Sequence, residues 1–258
     1  MTYLLNCQLS IINYQLKDVY EIKKHIPNAL TCGNLICGIF AILSVFKGDL
    51  ITASVLTGIA LLFDWLDGFI ARLLHVSSPI GKELDSLADM VTFGILPAFM
   101  MLKLIEGSCT TGTCTVGLGG FYKPYIALAL AVFSALRLAK FNVDTRQNDS
   151  FIGVPTPANG MVVASLPLIM MFQPEISKYL IQFNVLVIYC VVMSYLLVAE
   201  IPLFALKFKN FGWADNQIKY IFLILSVILL ILLKFVAIPV IIFLYILLSV
   251  AQNLLVKA

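Results

Sequence analysis

The chain has 258 residues, of which 61% are hydrophobic and 12% charged, with a net charge of +3 and a mean hydropathy of +0.99. A soluble domain carries about 45–50% apolar and about 25% charged residues, so 17 basic and 14 acidic side chains cannot cover a soluble surface of this size. The figures exclude a soluble enzyme, a secreted disulfide scaffold and a disordered linker, and the small, dispersed charge offers nothing to nucleic acid. The expected class is all-α, a polytopic transmembrane helical bundle forming a single unit over residues 1–258.

Residues 1–26 read as a juxtamembrane segment. Leu5, Leu9, Ile12, Leu16 and Val19 recur at helical spacing beside Asn13, Lys17 and Asp18, which predicts an amphipathic helix on the membrane surface. Apolar runs of crossing length then follow at about 27–46, 50–74, 83–105, 121–142, 157–173, 178–200, 217–233 and 235–255, predicting about eight spans. Residues 27–200 are expected to hold the chemistry and 201–258 to form C-terminal helices. Cys109 and Cys114 stand close enough to bridge if their loop faces an oxidising compartment, while two histidines, His25 and His75, are too few for a zinc site here. Placing the N-terminus in the cytoplasm puts most of the 17 Lys and Arg on that side, among them Arg72, Lys82, Arg137 and Lys140.

Four acids fall inside predicted spans within 26 positions: Asp64, Asp67, Asp85 and Asp89. A carboxylate at the centre of a span costs about 2.5–3.5 kcal/mol on insertion scales, so four without compensation would cost about 10 kcal/mol or more. Asp64 and Asp67 share a helical face with Gly68 and Ala71, leaving a strip with little side-chain bulk; Gly81, Asp85 and Asp89 form a second stripe at four-residue spacing. At 1.5 Å per residue, an antiparallel pair brings all four acids to a similar depth, predicting one acidic cluster just inside the cytoplasmic face. Oxygen donors without histidine or thiolate suit hard divalent cations, Mg²⁺ or Mn²⁺, and two such ions would balance four negative charges. Paired cations held by carboxylates serve displacement at phosphorus, so the expected substrate carries phosphate and, from its location, a lipid.

The run from Asp64 through Asp67, Gly68, Ala71, Arg72, Gly81 and Asp85 to Asp89 resembles the signature of the CDP-alcohol phosphatidyltransferases in all eight fixed positions. The resemblance implies replacement of CMP in a CDP-activated lipid by a hydroxyl-bearing acceptor. It implies Asp64, Asp67 and Asp85 as metal ligands, and Asp89 as the base that deprotonates the acceptor while also touching a metal. Gly68, Ala71 and Gly81 would border the CDP-lipid with Arg72 nearby. Asn28 and Thr31, in a stretch similar to the family's first span, would help hold the nucleotide; both residue types also cap helices.

Arg137, Lys140 and Asn142, followed by Gly153 and Pro155, are similar to the serine-transferring branch of that family, which implies CDP-diacylglycerol and L-serine as substrates. Serine carries a carboxylate, and Arg137 and Lys140 are the membrane-embedded cations available to receive it; cations at a cytoplasmic helix end also follow from the positive-inside rule. Lys140 stands where arginine is expected in many relatives, which keeps the charge but loses the planar fork. An acceptor such as glycerol 3-phosphate or an inositol phosphate is the alternative within the same chemistry, and a cation transporter with an Asp-lined path is the alternative outside it. The resemblance also implies a homodimer; the placement of the positive charges puts the site on the cytoplasmic side, and a bacterial cytoplasmic membrane is the expected location.

Overall fold

The computed structural model describes residues 23–109, 115–116, 121–144, 150–204 and 212–257. The surface helix predicted around residues 5–19, and Cys114, lie outside the described residues. In chain order the helices are α1 (His25–Phe46), α2 (Leu50–Leu73), α3 (Pro79–Asp89), a π-helical segment (Met90–Ile95) leading into α4 (Leu96–Ser108), a 3₁₀ turn (Lys123–Ala127) leading into α5 (Leu128–Val143), α6 (Thr156–Phe172), α7 (Pro174–Leu180), α8 (Phe183–Val198), α9 (Trp213–Leu233), a second 3₁₀ turn (Lys234–Val236) and α10 (Ala237–Lys257). Two minimal ribbons join them: β1 (Thr115–Val116) with β2 (Phe121–Tyr122), and β3 (Ser150–Ile152) with β4 (Pro202–Phe204), the latter antiparallel with Phe151 opposite Leu203.

Each predicted apolar segment overlaps a helix. Among the described residues five stretches are long and apolar enough to cross a bilayer, His25–Phe46, Leu50–Leu73, Pro79–Ser108, Lys123–Val143 and Asn216–Asn253, or six if the bent pair α7 and α8 counts as one span. The run expected over 178–200 is broken: α7 and α8 meet at 66°, because Gln182 adopts an extended backbone between them. The Asn216–Asn253 stretch is folded back on itself, with the rings of Phe222 in α9 and Tyr245 in α10 packed at 5.7 Å. Its turn places Lys234 at a φ of +51°. Gln173 clamps both sides of that turn, its Nε2 donating to the Leu233 carbonyl at 3.0 Å and its Oε1 accepting from the Val236 amide at 3.2 Å.

Local chemistry sets the helix starts. Asp49 caps α2 by accepting the Thr52 amide at 2.9 Å, and the Thr52 hydrogen bonds hold its carboxyl below the usual carboxylate range. Ser78 caps α3 by accepting the Gly81 amide at 2.9 Å, with Pro79 at the first helical position. Pro97 cannot donate an amide back to the preceding turn, and the ladder widens to π geometry over Met90–Ile95 just before it.

The π segment and α4 run through the middle of the bundle, burying Phe93, Leu96, Met100, Met101 and Ile105 fully. Around them pack Ala41 and Val45 of α1, Val163 and Ile169 of α6, and Leu186 and Met193 of α8; Phe222, Ile242 and Ile246 of the C-terminal hairpin join the same core. Outward-facing residues such as Phe40, Leu43, Val132, Leu136, Ile188 and Val192 are exposed. An apolar exterior around a close-packed centre is what a lipid solvent selects. Gln173→Ala should remove both of these hydrogen bonds across the turn, at about 0.5–1.5 kcal/mol each. The expected outcome is a lower thermal midpoint in detergent, by about 2–4 °C per kcal/mol lost; an unchanged midpoint would remove Gln173 as the clamp of the hairpin.

Candidate active site

Two helices bring the acids together. Asp64 and Asp67 lie on α2 and Asp85 on α3, and each offers a carboxylate oxygen within 4.8 Å of the other two. Asp89, one turn further along α3, meets the Asp64 carboxyl in hydrogen-bonding contact. The single cluster expected from spacing is therefore present. Asp67 and Asp89 are buried, Asp64 and Asp85 partly so.

Helix α1 supplies the neutral donors. Thr31 Oγ1 donates to Asp67 Oδ2 at 2.6 Å, and Asn34 Nδ2 approaches Asp89 Oδ1 at 3.4 Å. Asn34 is completely buried, and its carbonyl oxygen on the main chain accepts from Thr92 Oγ1 of the π segment at 3.4 Å. Sequence reading passed over Asn34, although Asn28, Thr31 and Asn34 recur every three residues in an otherwise apolar span, and polar residues inside spans mark functional faces.

Charge balance is incomplete within the protein. Among the described residues no lysine or arginine forms an ion pair with the four aspartates, and Asp85 Oδ1 is buried with no hydrogen-bond partner. Two carboxylates in contact in a low-dielectric site need positive charge between them. An all-oxygen donor set with an orphaned carboxylate oxygen fits a hard divalent cation; Asp64, Asp67 and Asp85 are the residues placed to hold it, with Asp89 adjoining.

Beside the cluster opens a cavity of about 200 Å³ whose wall includes Asn28, Thr31, Gly68, Ala71 and Gly81 together with Asp67 and Asp85. Five of the six residues assigned to the CDP-lipid thus share one wall, while Arg72, near the end of α2, stands outside it. A Cβ at Gly68 would meet nothing within 4 Å, so that strip is open to a ligand. At Gly81 the reason for glycine differs: a Cβ would lie 2.8 Å from Asn28 Oδ1 and 2.9 Å from Ser78 Oγ, so glycine lets α3 approach α1. Lys24, Ser78 and Lys82 also line this cavity, and sequence reading did not single them out for it. Their signal was their position at the mouth of the predicted span pair.

The second group of expected residues divides. Arg137 and Lys140 line another cavity, of about 440 Å³, and the Arg137 guanidinium lies 5.2 Å from the Phe141 ring and within electrostatic reach of Asp89. Asn142 instead ties α5 to α3: its Nδ2 donates to Ser86 Oγ at 3.0 Å, and its main-chain carbonyl accepts from Lys82 Nζ at 3.3 Å. Gly153, at a φ of +75°, faces the Leu197 carbonyl, where a Cβ would sit at 2.5 Å; the approach it permits is to α8. Pro155 precedes α6 and its carbonyl accepts from the Ala158 and Asn159 amides at 3.1 and 3.3 Å. Gly153 and Pro155 are outside the lining of both cavities.

This arrangement can hold divalent cations against a phosphate-bearing ligand and place a carboxylate beside a reacting hydroxyl. Comparison with known proteins points the same way. The profile of the CDP-alcohol phosphatidyltransferase family matches residues 24–197. The chain is 34% identical over 146 residues to the CDP-diacylglycerol--serine O-phosphatidyltransferase of Bacillus subtilis, covering 55% of this chain and 75% of that one. It is 33% identical over 143 residues to the Helicobacter pylori protein of the same name, covering 53% of this chain and 54% of that one. Against the namesake from Methanocaldococcus jannaschii it is 30% identical over 156 residues, covering 60% and 64%. The matched stretch therefore spans about half the length of the Helicobacter pylori relative and three quarters of the Bacillus subtilis one. The family match over residues 24–197 contains α1 to α7 with all four aspartates, and the chain belongs to the CDP-alcohol phosphatidyltransferase family.

Proposed function

We propose that this protein transfers the phosphatidyl group of CDP-diacylglycerol to L-serine, giving phosphatidylserine and CMP. The observation that carries the reading is the meeting of α2 and α3, where four carboxylates gather beside a cavity left open at Gly68. The relatives above bear the name of this activity, and Arg137, within electrostatic reach of Asp89, lines one cavity with Lys140, so that the two supply positive charge for the serine carboxylate. In the transfer, a bond forms between the serine hydroxyl oxygen and the phosphorus bearing diacylglycerol, the bond from that phosphorus to the CMP oxygen breaks, and the hydroxyl proton passes to Asp89.

Each part of the chain has a defined task in that reaction. Asp64, Asp67 and Asp85 hold divalent cations, Mg²⁺ or Mn²⁺, two of them by charge count. Bound there, such ions neutralise pyrophosphate and stabilise charge on the departing CMP. Thr31 fixes the Asp67 carboxylate and Asn34 the Asp89 carboxylate. Asn28, Gly68, Ala71 and Gly81 border the CDP moiety, and Arg72 lies at the end of the same helix. Asn142, Gly153 and Pro155 belong to the acceptor side as supports, through α3, α8 and α6 respectively.

The protein is an integral membrane protein, and we place it in a bacterial cytoplasmic membrane as a homodimer with the site facing the cytoplasm. The excess of Lys and Arg around the acidic cluster supports that orientation. So does Cys109 at the far end of α4, which is disulfide-bonded and thus suits an oxidising side. A cation transporter would distribute its acids along a path through the bilayer; here they form one compact group. An acceptor bearing phosphate would favour a purely cationic pocket, and the second cavity is not one.

CMP release from CDP-diacylglycerol by the purified protein with Mn²⁺ should depend on serine, and Asp89→Asn should reduce it about 10²–10⁴-fold, the usual worth of a positioned base. Activity unchanged in that variant would remove Asp89 from its role. Thr31→Val keeps the volume of the side chain but deletes its donor to Asp67. Titrating activity with Mn²⁺ should then show a half-maximal concentration raised about 10–100-fold, as for loss of a hydrogen bond that orients a metal ligand. An unmoved titration would mean that Asp67 needs no such support.

A further inference from the structure

The cavity of about 440 Å³ opens where the C-terminal ends of α5 and α8 meet, and its wall carries charges of both signs. Arg137 and Lys140 come from α5, Asp144 directly follows that helix, and Glu200 follows α8. Leu197 and Val198 supply apolar wall between them. Among the described residues Arg137, Lys140 and Glu200 form no ion pair, so Glu200 shares one space with two cations without cancelling either. Arg137 exposes only 7% of its surface, and its Nε has no hydrogen-bond partner. A buried guanidinium donor without an acceptor is costly, and here it borders a space roomy enough for a small polar molecule and its waters, at about 30 Å³ per water. Arg137 also lies within electrostatic reach of Asp89, and Asn142 of the same helix is hydrogen-bonded to Ser86, next to Asp85.

We propose that this cavity is a receptor for a zwitterionic amino-acid acceptor, in which Arg137 and Lys140 receive the α-carboxylate while Glu200, with Asp144, receives the α-ammonium. The proposal rests on the serine-transfer reading and adds to it the residues that set acceptor specificity. Carboxylate recognition alone would admit any hydroxy acid, whereas an anionic arm rewards the ammonium and opposes an acceptor whose far end is a phosphate. Glu200 and Asp144 thereby discriminate twice, by attraction toward an amino acid and by like-charge repulsion of glycerol phosphates.

The test compares serine with 3-hydroxypropionate, which keeps the hydroxyl and carboxylate but lacks the ammonium. CMP release by the purified full-length protein is measured against each, with 3-hydroxypropionate read as an acceptor or as a competitor of serine. Glu200→Gln should raise the KM for serine about tenfold, the scale of one charge-assisted hydrogen bond, with kcat nearly unchanged. Binding of 3-hydroxypropionate should stay at its wild-type value, so the preference for serine shrinks. Asp144→Asn should move the same ratio in the same direction, and a thermal midpoint for each variant separates this effect from misfolding. Wild-type release that depends on serine, with a ratio unmoved in both variants, would overturn the receptor and leave the transferase reading standing. Absence of serine-dependent release by the wild type would overturn the transferase reading and the receptor with it.

Discussion

Carboxylates cannot remain bare in a low-dielectric bundle, and this requirement organises the protein around Asp64, Asp67, Asp85 and Asp89. At about 2.5–3.5 kcal/mol for a charged residue in mid-span, the cluster needs compensation on every side. The chain supplies only part of it. Thr31 and Asn34 bring neutral donors from α1, Arg137 brings distant positive charge, and Asp85 keeps an oxygen unpaired. Such a deficit is a demand for cations, and it distinguishes this cluster from a structural ion-pair network, whose charges are satisfied before any ligand arrives.

The packing around the cluster serves the same end. Helix α1 can lie against both acid-bearing helices because its inward face is small or polar, with Thr31, Asn34, Gly38 and Ala41 buried, and small faces are how membrane helices approach closely. Gly81 extends that approach by admitting the Asn28 side chain against α3. Asn142 then ties the end of α5 to Ser86, which lies between Asp85 and Asp89 in sequence. Helix α5 is thereby coupled to α3 by a direct hydrogen bond.

Much of the site was legible in the sequence because its residues violate the local pattern. An aspartate in an apolar run is conspicuous, and helical periodicity is enough to place Asp64 with Asp67 and Asp85 with Asp89 on common faces. Asn34 obeyed the same logic at three-residue spacing from Thr31 and could have been found by it. Other features left no local trace. Nothing in Ile181 and Gln182 forbids helix, so the bend between α7 and α8 follows from tertiary packing that overrides propensity. The partner of Gly153 is the Leu197 carbonyl, 44 residues away by numbering, and Glu200 joins Arg137 in one cavity only because α5 packs along α8. A backbone contact or a shared cavity between distant segments has no periodic signature to read.

The widened turn at Met90–Ile95 has a geometric effect on all that follows it. An inserted residue in a helix rotates the downstream side chains by about 100° relative to those upstream. The face that carries Asp85 and Asp89 is thereby out of phase with the face that Met100, Met101 and Ile105 turn toward the core. One continuous rod can then act as a polar workbench at one end and as the dry axle of the bundle at the other.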